Sequence, residues 1–448
     1  MNVVNKMNVD NKLNSGQKLW QEATEIIPGG NGLLSKRPDR YAPDLWPVYF
    51  SKAKGCQIWD LDGNKYIDMA QNGIGTAILG YADDDVNQSV IEAINKGVNT
   101  TLNAPEEVKL AQKLLELNPS MGGVKFARGG GEAMSLAVRI ARTHTKRDKV
   151  AFSGYHGWTD WYLATNLSSE SNLDEHLLPG LEPSGVPSGL SGTAFPFKYN
   201  DIDDFKKLLG QHDDIGVVVL EGARYDLPSA DFLKAIDIES KKRDIVVIVD
   251  EITSGLRMSE SGVYRLFDFD PDIAVYGKAL GNGFAISAVV GKKEVMDSAQ
   301  DTFISSTMWT ERVGFVAGLA TLNKLTDCRV YKHLIEVGTH IGNGWGELAK
   351  KHNLDIFITD YKPLITFKLN YGEANNPIAT LFIQEMLKRG YLASTSIYVT
   401  YAHTIEIADK YLENVDKVFE IMSDAIINNK ILDLLETEVR TDMFKRLN

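Results

Sequence analysis

The sequence predicts an α/β fold in which a large domain, with a mainly parallel sheet between helices, is joined to a smaller α+β domain. From about residue 105, short runs rich in valine and isoleucine alternate with amphipathic helical segments. This alternation indicates a sheet covered by helices on both faces. After the last of these runs, long helices are followed by mixed strands and helices. At 448 residues, the chain is long enough for both domains.

The region before the alternating pattern predicts a helix and a hairpin. The helix covers SGQKLWQEATEI, with Ser15 as the candidate N-cap. Two runs with strand-like alternation flank Asp62-Gly63, a strong hairpin signal, in YFSKAKGCQIWDLDGNKYIDMA. DVNQSVIEAINKG then returns to helical spacing. We expect this N-terminal segment, residues 1–85, to pack with the small domain.

The large domain is expected over residues 86–325 and the small C-terminal domain over 326–448. The predicted helices of the large domain are PEEVKLAQKLLEL, GEAMSLAVRIARTHT, FKKLLGQ and ADFLKAIDIESKKRD. Its predicted strands are GVKFAR, KVAFSGY, GVVVLEG, IVVIVDE, DIAVYGK and ISAVVG. Parallel strands end at one edge of such a sheet, so residues that follow them are the candidates for a ligand site.

Composition excludes several classes of protein. A net charge of −12 and a pI near 5.3 argue against nucleic acid as a partner. Cys56 and Cys328 are too few for a disulfide framework or a zinc site, and we expect both to be buried. The N-terminus lacks the apolar core of a signal peptide, and no run is long and apolar enough to cross a bilayer. We therefore expect a cytoplasmic protein without membrane association.

Three glycines follow the predicted strand GVKFAR. They are Gly129, Gly130 and Gly131, and a helix is expected to begin at Glu132. Glycines let backbone N–H groups approach an anion closely, and a helix N-terminus adds partial positive charge. The turn suits a phosphate, although a glycine cluster alone also fits a simple turn.

Two carboxylates end neighbouring strand patterns. Asp250 closes the apolar run IVVIVDE, a position where it can cap a helix, bind a metal or pair with a protonated ring nitrogen. No further ligand cluster accompanies it in the sequence, so metal is the weakest alternative. Glu221 ends GVVVLEG and is either a helper at the same edge or a solvated loop acid.

A lysine in small, apolar surroundings completes the pattern. Lys278 follows the strand DIAVYGK, where its amine either reaches solvent or is kept partly neutral for chemistry. A phosphate turn, a buried carboxylate and a sequestered lysine are together what pyridoxal phosphate requires. Tyr155, at the end of KVAFSGY, supplies an aromatic side chain to lie beside the ring.

With these residues in place, the chain resembles the class-III pyridoxal-phosphate aminotransferases, and within them the glutamate-1-semialdehyde aminomutases. The resemblance runs from about residue 28 to about residue 422. It rests on the order and spacing of GCQIWDLDGNKYIDM, RGGGEAMSLAVRIAR, YHG, VDEITSGLR, YGKALGNG and STMWTERVGFVAGLATL. It implies fold type I of the pyridoxal-phosphate-dependent transferases and an active homodimer.

The resemblance also assigns roles. It implies that Lys278 is the Schiff-base lysine and the proton carrier, and that Asp250 pairs with the ring nitrogen. Backbone N–H groups of the three-glycine turn would hold the phosphate. Tyr155 would stack on the ring with His156 beside it, and Glu221 would lie near the ring substituents. Thr307 would bind the phosphate of the other subunit, so that the phosphate site is completed across the interface.

The sequence departs from the family on the substrate side. Glycines replace the family's serine and threonine in the phosphate turn, and Trp309-Thr310-Glu311-Arg312 replaces its usual Ser-Gly-Asn-Pro. The aminomutase stretch that binds a carboxylate is not matched cleanly by Lys36 and Arg37. Candidate substrate-pocket residues in the regions that differ from the family are Tyr41, Trp46, Tyr49, Asn72 and Trp309.

The preferred interpretation is an aminotransferase that moves nitrogen from an amino-acid donor, with glutamate favoured, to an aldehyde or ketone acceptor. A sugar-like acceptor for surface polysaccharide synthesis suits the aromatic and polar candidates. The alternative is the aminomutase of tetrapyrrole synthesis. A cofactor-binding protein without turnover is disfavoured by the presence of Lys278, Asp250 and Tyr155 together. A nicotinamide dehydrogenase is disfavoured because the glycines lack GxGxxG spacing.

Overall fold

The computed structural model describes residues 13–176 and 179–444, which form two compact units. One unit is continuous, from residue 75 to residue 336, and we call it the large unit. The other, the small unit, combines the chain up to residue 74 with the chain from residue 337 onward. The domain boundaries drawn from the sequence, near residues 85 and 325, stay a prediction.

Among the described residues, the sheet of the large unit contains seven strands in the order β4-β10-β9-β8-β7-β5-β6. The run from β9 to β6 is parallel, whereas β10 runs antiparallel to both of its neighbours. This confirms the predicted α/β fold with a mainly parallel sheet. The strands are β4 Gly123–Ala127, β5 Lys149–Ser153, β6 Ala194–Pro196, β7 Ile215–Glu221, β8 Val246–Asp250, β9 Ile273–Tyr276 and β10 Ser287–Gly291.

Helices of the large unit cover this sheet. Their apolar positions recur with helical spacing, and α4 buries residues from Ala133 to Ala141 against the strands. Asp83 caps α2 and Ser229 caps α7 through their side-chain oxygens. The helices are α2 Asp84–Asn95, α3 Pro105–Leu117, α4 Gly130–Thr145, α5 Asp160–Leu163, α6 Ile202–Gln211, α7 Ala230–Lys242, α8 Lys293–Met296 and α9 Arg312–Asp327.

The described part of the small unit contains two sheets. One has the order β1-β2-β3-β13, and the other has the order β11-β12-β14. Its strands are β1 Phe50–Lys54, β2 Gln57–Asp60, β3 Lys65–Met69, β11 Ile356–Ile358, β12 Leu364–Leu369, β13 Tyr391–Ala393 and β14 Ser396–Tyr398. Its helices are α1 Ser15–Ile26, α11 Asn375–Leu387, α12 Ile405–Ile427 and α13 Ile431–Leu434, while α10 Val330–Lys351 crosses the unit boundary.

Local expectations from the sequence had mixed outcomes. The hairpin around Asp62-Gly63 is confirmed, since β2 and β3 pair antiparallel. Ser15 as N-cap was wrong, because the side chain of Asn14 accepts the hydrogen bond from the Gln17 N–H. Cys56 is buried, but Cys328 is exposed at the end of α9, so that expectation was wrong for Cys328. No helix among the described residues has the length and apolarity to cross a membrane.

The core fixes the edge of the sheet at which β5, β7, β8 and β9 end. The parallel strands β7, β8 and β9 are buried along their whole length. Register pairs Glu221 with Asp250, and Asp250 with Val275, across β7, β8 and β9. The side chains that follow these strands therefore project from a rigid, dry platform.

Candidate active site

Lys278 lies two residues beyond the end of β9. Its backbone has a φ of +40°, in the left-handed region that a side chain other than glycine rarely adopts. The amine Nζ donates a 2.8 Å hydrogen bond to the Thr253 hydroxyl. Burial, followed by the nearby positive charge of Arg224, lowers the pKa of Lys278 to about 7. A large fraction of the amine is therefore neutral near pH 7.

Asp250 is buried at the end of β8, with 5% of its surface exposed. Its Oδ2 lies 2.9 Å from Nδ1 of His156, and its Oδ1 accepts a 3.0 Å hydrogen bond from the Ile252 N–H. The other ring nitrogen of His156, Nε2, lies 3.1 Å from the Ser153 carbonyl oxygen, so the ring is anchored on both sides. These partners hold the carboxylate in one orientation.

The three-glycine turn begins α4. Gly129 is the N-cap, and the Glu132 carboxylate accepts its N–H at 3.3 Å and that of Arg128 at 2.9 Å. The next N–H groups, of Gly130 and Gly131, belong to the first helical turn and have no partner within the helix. Backbone donors at a helix N-terminus are suited to an anion.

Ile252 connects the turn to the lysine. A Cβ built on Gly130 would lie 3.1 Å from Ile252 Cδ1, and one built on Gly277 would lie 3.4 Å from Ile252 Cγ2. Its backbone N–H bonds to Asp250. A single side chain therefore contacts the glycine turn and the residue before Lys278. The structure brings Lys278, Asp250 and the turn into one site.

Glu221 and Arg224 form an ion pair at the same edge. Glu221 Oε1 accepts from Arg224 Nε at 3.0 Å and from Nη2 at 2.7 Å, while Oε2 accepts from the Tyr155 N–H at 3.1 Å. The guanidinium carbon lies 5.4 Å from the centre of the Tyr155 ring. Burial raises the pKa of Tyr155 above its ordinary value. Tyr155, His156 and Glu221 thus lie with Asp250 at the ends of adjacent strands.

Thr307 lies on the surface. It begins the short 3₁₀ helix Thr307–Thr310 and is exposed. Among the described residues, no hydrogen bond joins its side chain to the other predicted site residues. The backbone of the residues that follow is held by Arg128, which immediately precedes the glycine turn.

Sequence reasoning missed three residues of this site. Thr253, the hydroxyl partner of Lys278, follows Asp250 by three positions and was not singled out. Arg224 has the i,i+3 spacing from Glu221 that often forms ion pairs, although here it lies in a loop. Arg128 bonds mainly to backbone carbonyls, which no sequence pattern reveals.

The candidate pocket residues make contacts inside their own units. The rings of Tyr41 and Trp46 stack with centroids 4.2 Å apart. The Asn72 amide donates to two carbonyls within the small unit. Trp309 packs beside the apolar core of the large unit, and Tyr49 is partly buried. Their contact with a substrate stays a prediction.

A cavity of about 330 Å³ borders the ion pair of Glu221 and Arg224. The described residues of its walls are mostly polar or charged. They consist of three acids, two bases, two tyrosines, a histidine and two small residues: Ser153, Gly154, Glu175, His176, Lys198, Tyr199, Glu221, Arg224, Tyr225 and Asp226. The volume lies within the range of sites for small molecules.

This fold is that of pyridoxal-phosphate-dependent transaminases. The family model described as aminotransferase class-III matches residues 40–425. The chain therefore belongs to the class-III aminotransferase family, and the resemblance read from the sequence is confirmed. It is an enzyme of that class, and pyridoxal phosphate is its cofactor.

Relatives cover nearly the whole chain. A 3-aminobutyryl-CoA aminotransferase of Cloacimonas acidaminovorans (strain Evry) is 30% identical over 408 residues, covering 88% of this chain and 94% of the relative. A glutamate-1-semialdehyde 2,1-aminomutase of Sulfurisphaera tokodaii is 30% identical over 423 residues, covering 90% and 99%. The crystal structure of an omega-transaminase from Sphaerobacter thermophilus superposes with a TM-score of 0.82, at 24% identity, covering 93% of this chain and 99% of that one.

The residues present fit this cofactor. A lysine amine with a pKa of about 7 suits an aldehyde, and a buried carboxylate suits a protonated pyridine nitrogen. The glycine turn fits a phosphate because neighbouring glycines leave room there. A Cβ built on Gly157 would lie 2.7 Å from the Cα of Gly131, and Gly157 has a φ of +102°. Larger residues at this position would displace the turn.

Proposed function

We propose that this protein is an aminotransferase that takes nitrogen from an amino-acid donor, with glutamate favoured, and delivers it to an aldehyde or ketone acceptor. The observation that carries the proposal is the position of the Lys278 amine. This amine has a pKa of about 7 and lies in one site with the Asp250 carboxylate and the anion-binding glycine turn. When bound, pyridoxal phosphate supplies an aldehyde that combines with amines and a ring that accepts electrons.

Each residue then has a defined task. Lys278 would hold the cofactor aldehyde through Nζ and would carry a proton at the same atom. Asp250, oriented by His156 and the Ile252 N–H, holds the proton of the ring nitrogen. Gly129, Gly130 and Gly131 hold the phosphate, with direct donation from the last two because Glu132 engages the Gly129 N–H.

Tyr155, His156 and Glu221 complete the cofactor site. Tyr155 packs on the ring, and Glu221 fixes the Tyr155 backbone through its N–H. Arg224 neutralises Glu221 and keeps a positive charge near Lys278, which favours the neutral amine.

For the acceptor, we propose a polyhydroxylated compound such as a sugar, for use in surface polysaccharide synthesis. The support is the cavity beside Glu221 and Arg224, whose described walls offer charged and hydrogen-bonding groups and two tyrosine rings. Hydroxyl groups satisfy such walls, whereas a hydrocarbon chain would leave their polar groups without partners.

We also propose a homodimer in which Thr307 binds the partner's cofactor phosphate, and we place the enzyme in the cytoplasm. Exposed large apolar side chains of this unit support the dimer, because interfaces cover groups of this kind. Phe303 is 85% exposed, Trp158 is 74% exposed and Met308 is 56% exposed. A Cβ on Gly131 would lie 3.4 Å from Trp158 Cδ1, so the exposed Trp158 ring adjoins the phosphate turn.

The second candidate is a glutamate-1-semialdehyde aminomutase, as several relatives of about 30% identity are named. Such an enzyme moves nitrogen within one substrate and needs no separate acceptor.

Half-reactions separate the two candidates. The purified holoenzyme is mixed with glutamate, the change in visible cofactor absorbance is followed, and keto sugars or glutamate-1-semialdehyde are then supplied in turn. We expect glutamate to convert the cofactor and a keto sugar to restore the original spectrum. Turnover of glutamate-1-semialdehyde alone, with no response to glutamate or keto sugars, would instead establish the aminomutase.

A further inference from the structure

We propose that Arg128 is a positioning residue that ties the phosphate turn to the segment containing Thr307, and that phosphate recognition depends on this tie. The inference rests on the proposed function and extends it to a residue outside the cofactor contacts. The segment concerned is residues 307–311, called the Thr307 segment below.

The contacts of Arg128 are directed at the backbone of this segment. Its Nε donates to the Met308 carbonyl at 2.7 Å, and its Nη2 donates to the Trp309 carbonyl at 3.2 Å and to the Glu311 carbonyl. Its guanidinium also lies 3.6 Å from the Glu311 carboxylate. One side chain therefore holds three carbonyls of a segment about 180 positions away in the sequence.

The far end of the segment is shaped to receive this side chain. Glu311 caps α9 by accepting the N–H groups of Val313 and Gly314. A Cβ on Gly314 would lie only 2.5 Å from Arg128 Nη1, so glycine makes the room that the guanidinium occupies. The guanidinium carbon lies 5.0 Å from the centre of the Phe315 ring, which packs beneath it.

The backbone of Arg128 is fixed to the phosphate turn. Its N–H donates to the Glu132 carboxylate, which also accepts the N–H of Gly129. Movement of the Thr307 segment is therefore transmitted through one residue to the start of α4. The turn itself carries no hydroxyl donor, since its three residues are glycine. Ordering the segment that presents the Thr307 hydroxyl compensates for that loss.

Arginine is required at position 128 because the bonds to the carbonyls of the Thr307 segment use two nitrogens of one planar guanidinium group. Carbonyls approached by Nε and Nη2 lie in the plane of one guanidinium, whereas a lysine ammonium is a point charge that reaches fewer of them. Arg139 provides a matched control. It also donates to a backbone carbonyl, that of Phe303 at 3.3 Å, but this contact is exposed to solvent.

The experiment compares apoenzyme affinity for pyridoxal phosphate with affinity for pyridoxal, which lacks the phosphate, by absorbance titration. We expect Arg128→Gln to weaken pyridoxal phosphate binding at least about tenfold, the scale of losing one charge-assisted hydrogen bond, and to leave pyridoxal binding within about twofold. Arg128→Lys should recover only part of this difference, and Arg139→Gln should behave as the wild type. Thr307→Val combined with Arg128→Gln should add little to either change alone.

Each outcome decides between explanations. Equal weakening of both ligands, full recovery with lysine, or no change would overturn the positioning role while leaving the proposed function standing. A wild-type enzyme that binds pyridoxal as tightly as pyridoxal phosphate would instead remove the phosphate site of the proposed function. If Arg128→Gln does not fold, Glu311→Gln tests the same segment, with selective loss of pyridoxal phosphate affinity expected and unchanged affinity contradicting the inference.

Discussion

The amine of Lys278 donates a hydrogen bond to the hydroxyl of Thr253, three residues beyond Asp250 on the neighbouring strand. The loop after β8 thus supplies both the carboxylate and the hydroxyl of the site. Asp250 ends β8, and Lys278 follows the end of the adjacent parallel strand β9 by two residues, so both are anchored to the buried sheet. The Lys278 amine, with a pKa of about 7, is therefore held in a fixed position beside Thr253.

The depressed pKa of Lys278 predicts how the apoenzyme takes up its cofactor. Because only the neutral amine combines with an aldehyde, the uptake rate should rise through about pH 7 and then level off. The rate for Nα-acetyllysine, measured in parallel, corrects for titration of the cofactor. A corrected rate that climbs tenfold per pH unit up to pH 9 would show an ordinary, exposed lysine. The charged groups that set this pKa are Arg224, Glu221, Asp250 and Arg257.

The ion pair beside Lys278 predicts shifts of opposite sign. Arg224 lowers the pKa of Lys278 and Glu221 raises it. Arg224→Gln should therefore move the midpoint of cofactor uptake to higher pH, and Glu221→Gln should move it to lower pH. Stopped-flow absorbance measures both midpoints. Shifts in the same direction would mean that the pair acts on the rate through structure and not through charge.

The position of Asp250 predicts that replacing its carboxylate slows catalysis while the protein still folds. In Asp250→Asn, the amide keeps the shape of the side chain but removes the negative charge that holds a proton on the ring nitrogen. The donor half-reaction should slow by at least about 100-fold, comparable to removal of one preorganised electrostatic partner. Single-turnover absorbance gives this rate, and the exposed Asp297→Asn serves as control. A rate within threefold of the wild type would contradict the assigned role.

Glu251 predicts a pH dependence of stability. Burial raises its pKa from 4.5 to about 7. Between these values the unfolded chain has lost a proton that the folded protein retains, so stability falls as pH rises through this window. The full effect is about 3 kcal/mol. Glu251→Gln should therefore show a smaller drop in melting temperature from pH 5 to pH 8 than the wild type, whereas Glu116→Gln, which alters an exposed acid, should not. Identical pH profiles for all three proteins would refute the prediction.

The sequence predicted most residues of the candidate site but not the contacts between them. Apolar strands followed by Asp250, Glu221 and Lys278 are local patterns, and parallel packing brings their ends together. The order of the strands in the sheet depends on contacts between distant segments. The periodicity of the sequence therefore could not predict that the antiparallel strand β10 lies between β4 and β9. Thr253 and Arg128 escaped notice because their partners, an amine and backbone carbonyls, are determined by tertiary contacts.

N-cap assignment shows the same limit at a smaller scale. Asn14 and Ser15 are both favoured N-cap residues, and their order in the sequence does not decide between them. The structure decides, because the side chain of Asn14 accepts from the Gln17 N–H, whereas the Ser15 hydroxyl donates to Asp62 in the hairpin.

The most direct measurement is the visible spectrum of purified Lys278→Ala protein reconstituted with pyridoxal phosphate, beside Lys293→Ala, which removes an exposed lysine. We predict that Lys278→Ala folds, lacks the absorption band of lysine-bound cofactor and loses transamination, and that Lys293→Ala keeps all three properties. A Lys278→Ala protein with the wild-type spectrum and activity would show that another group binds the cofactor, and the assignment of this site would fail.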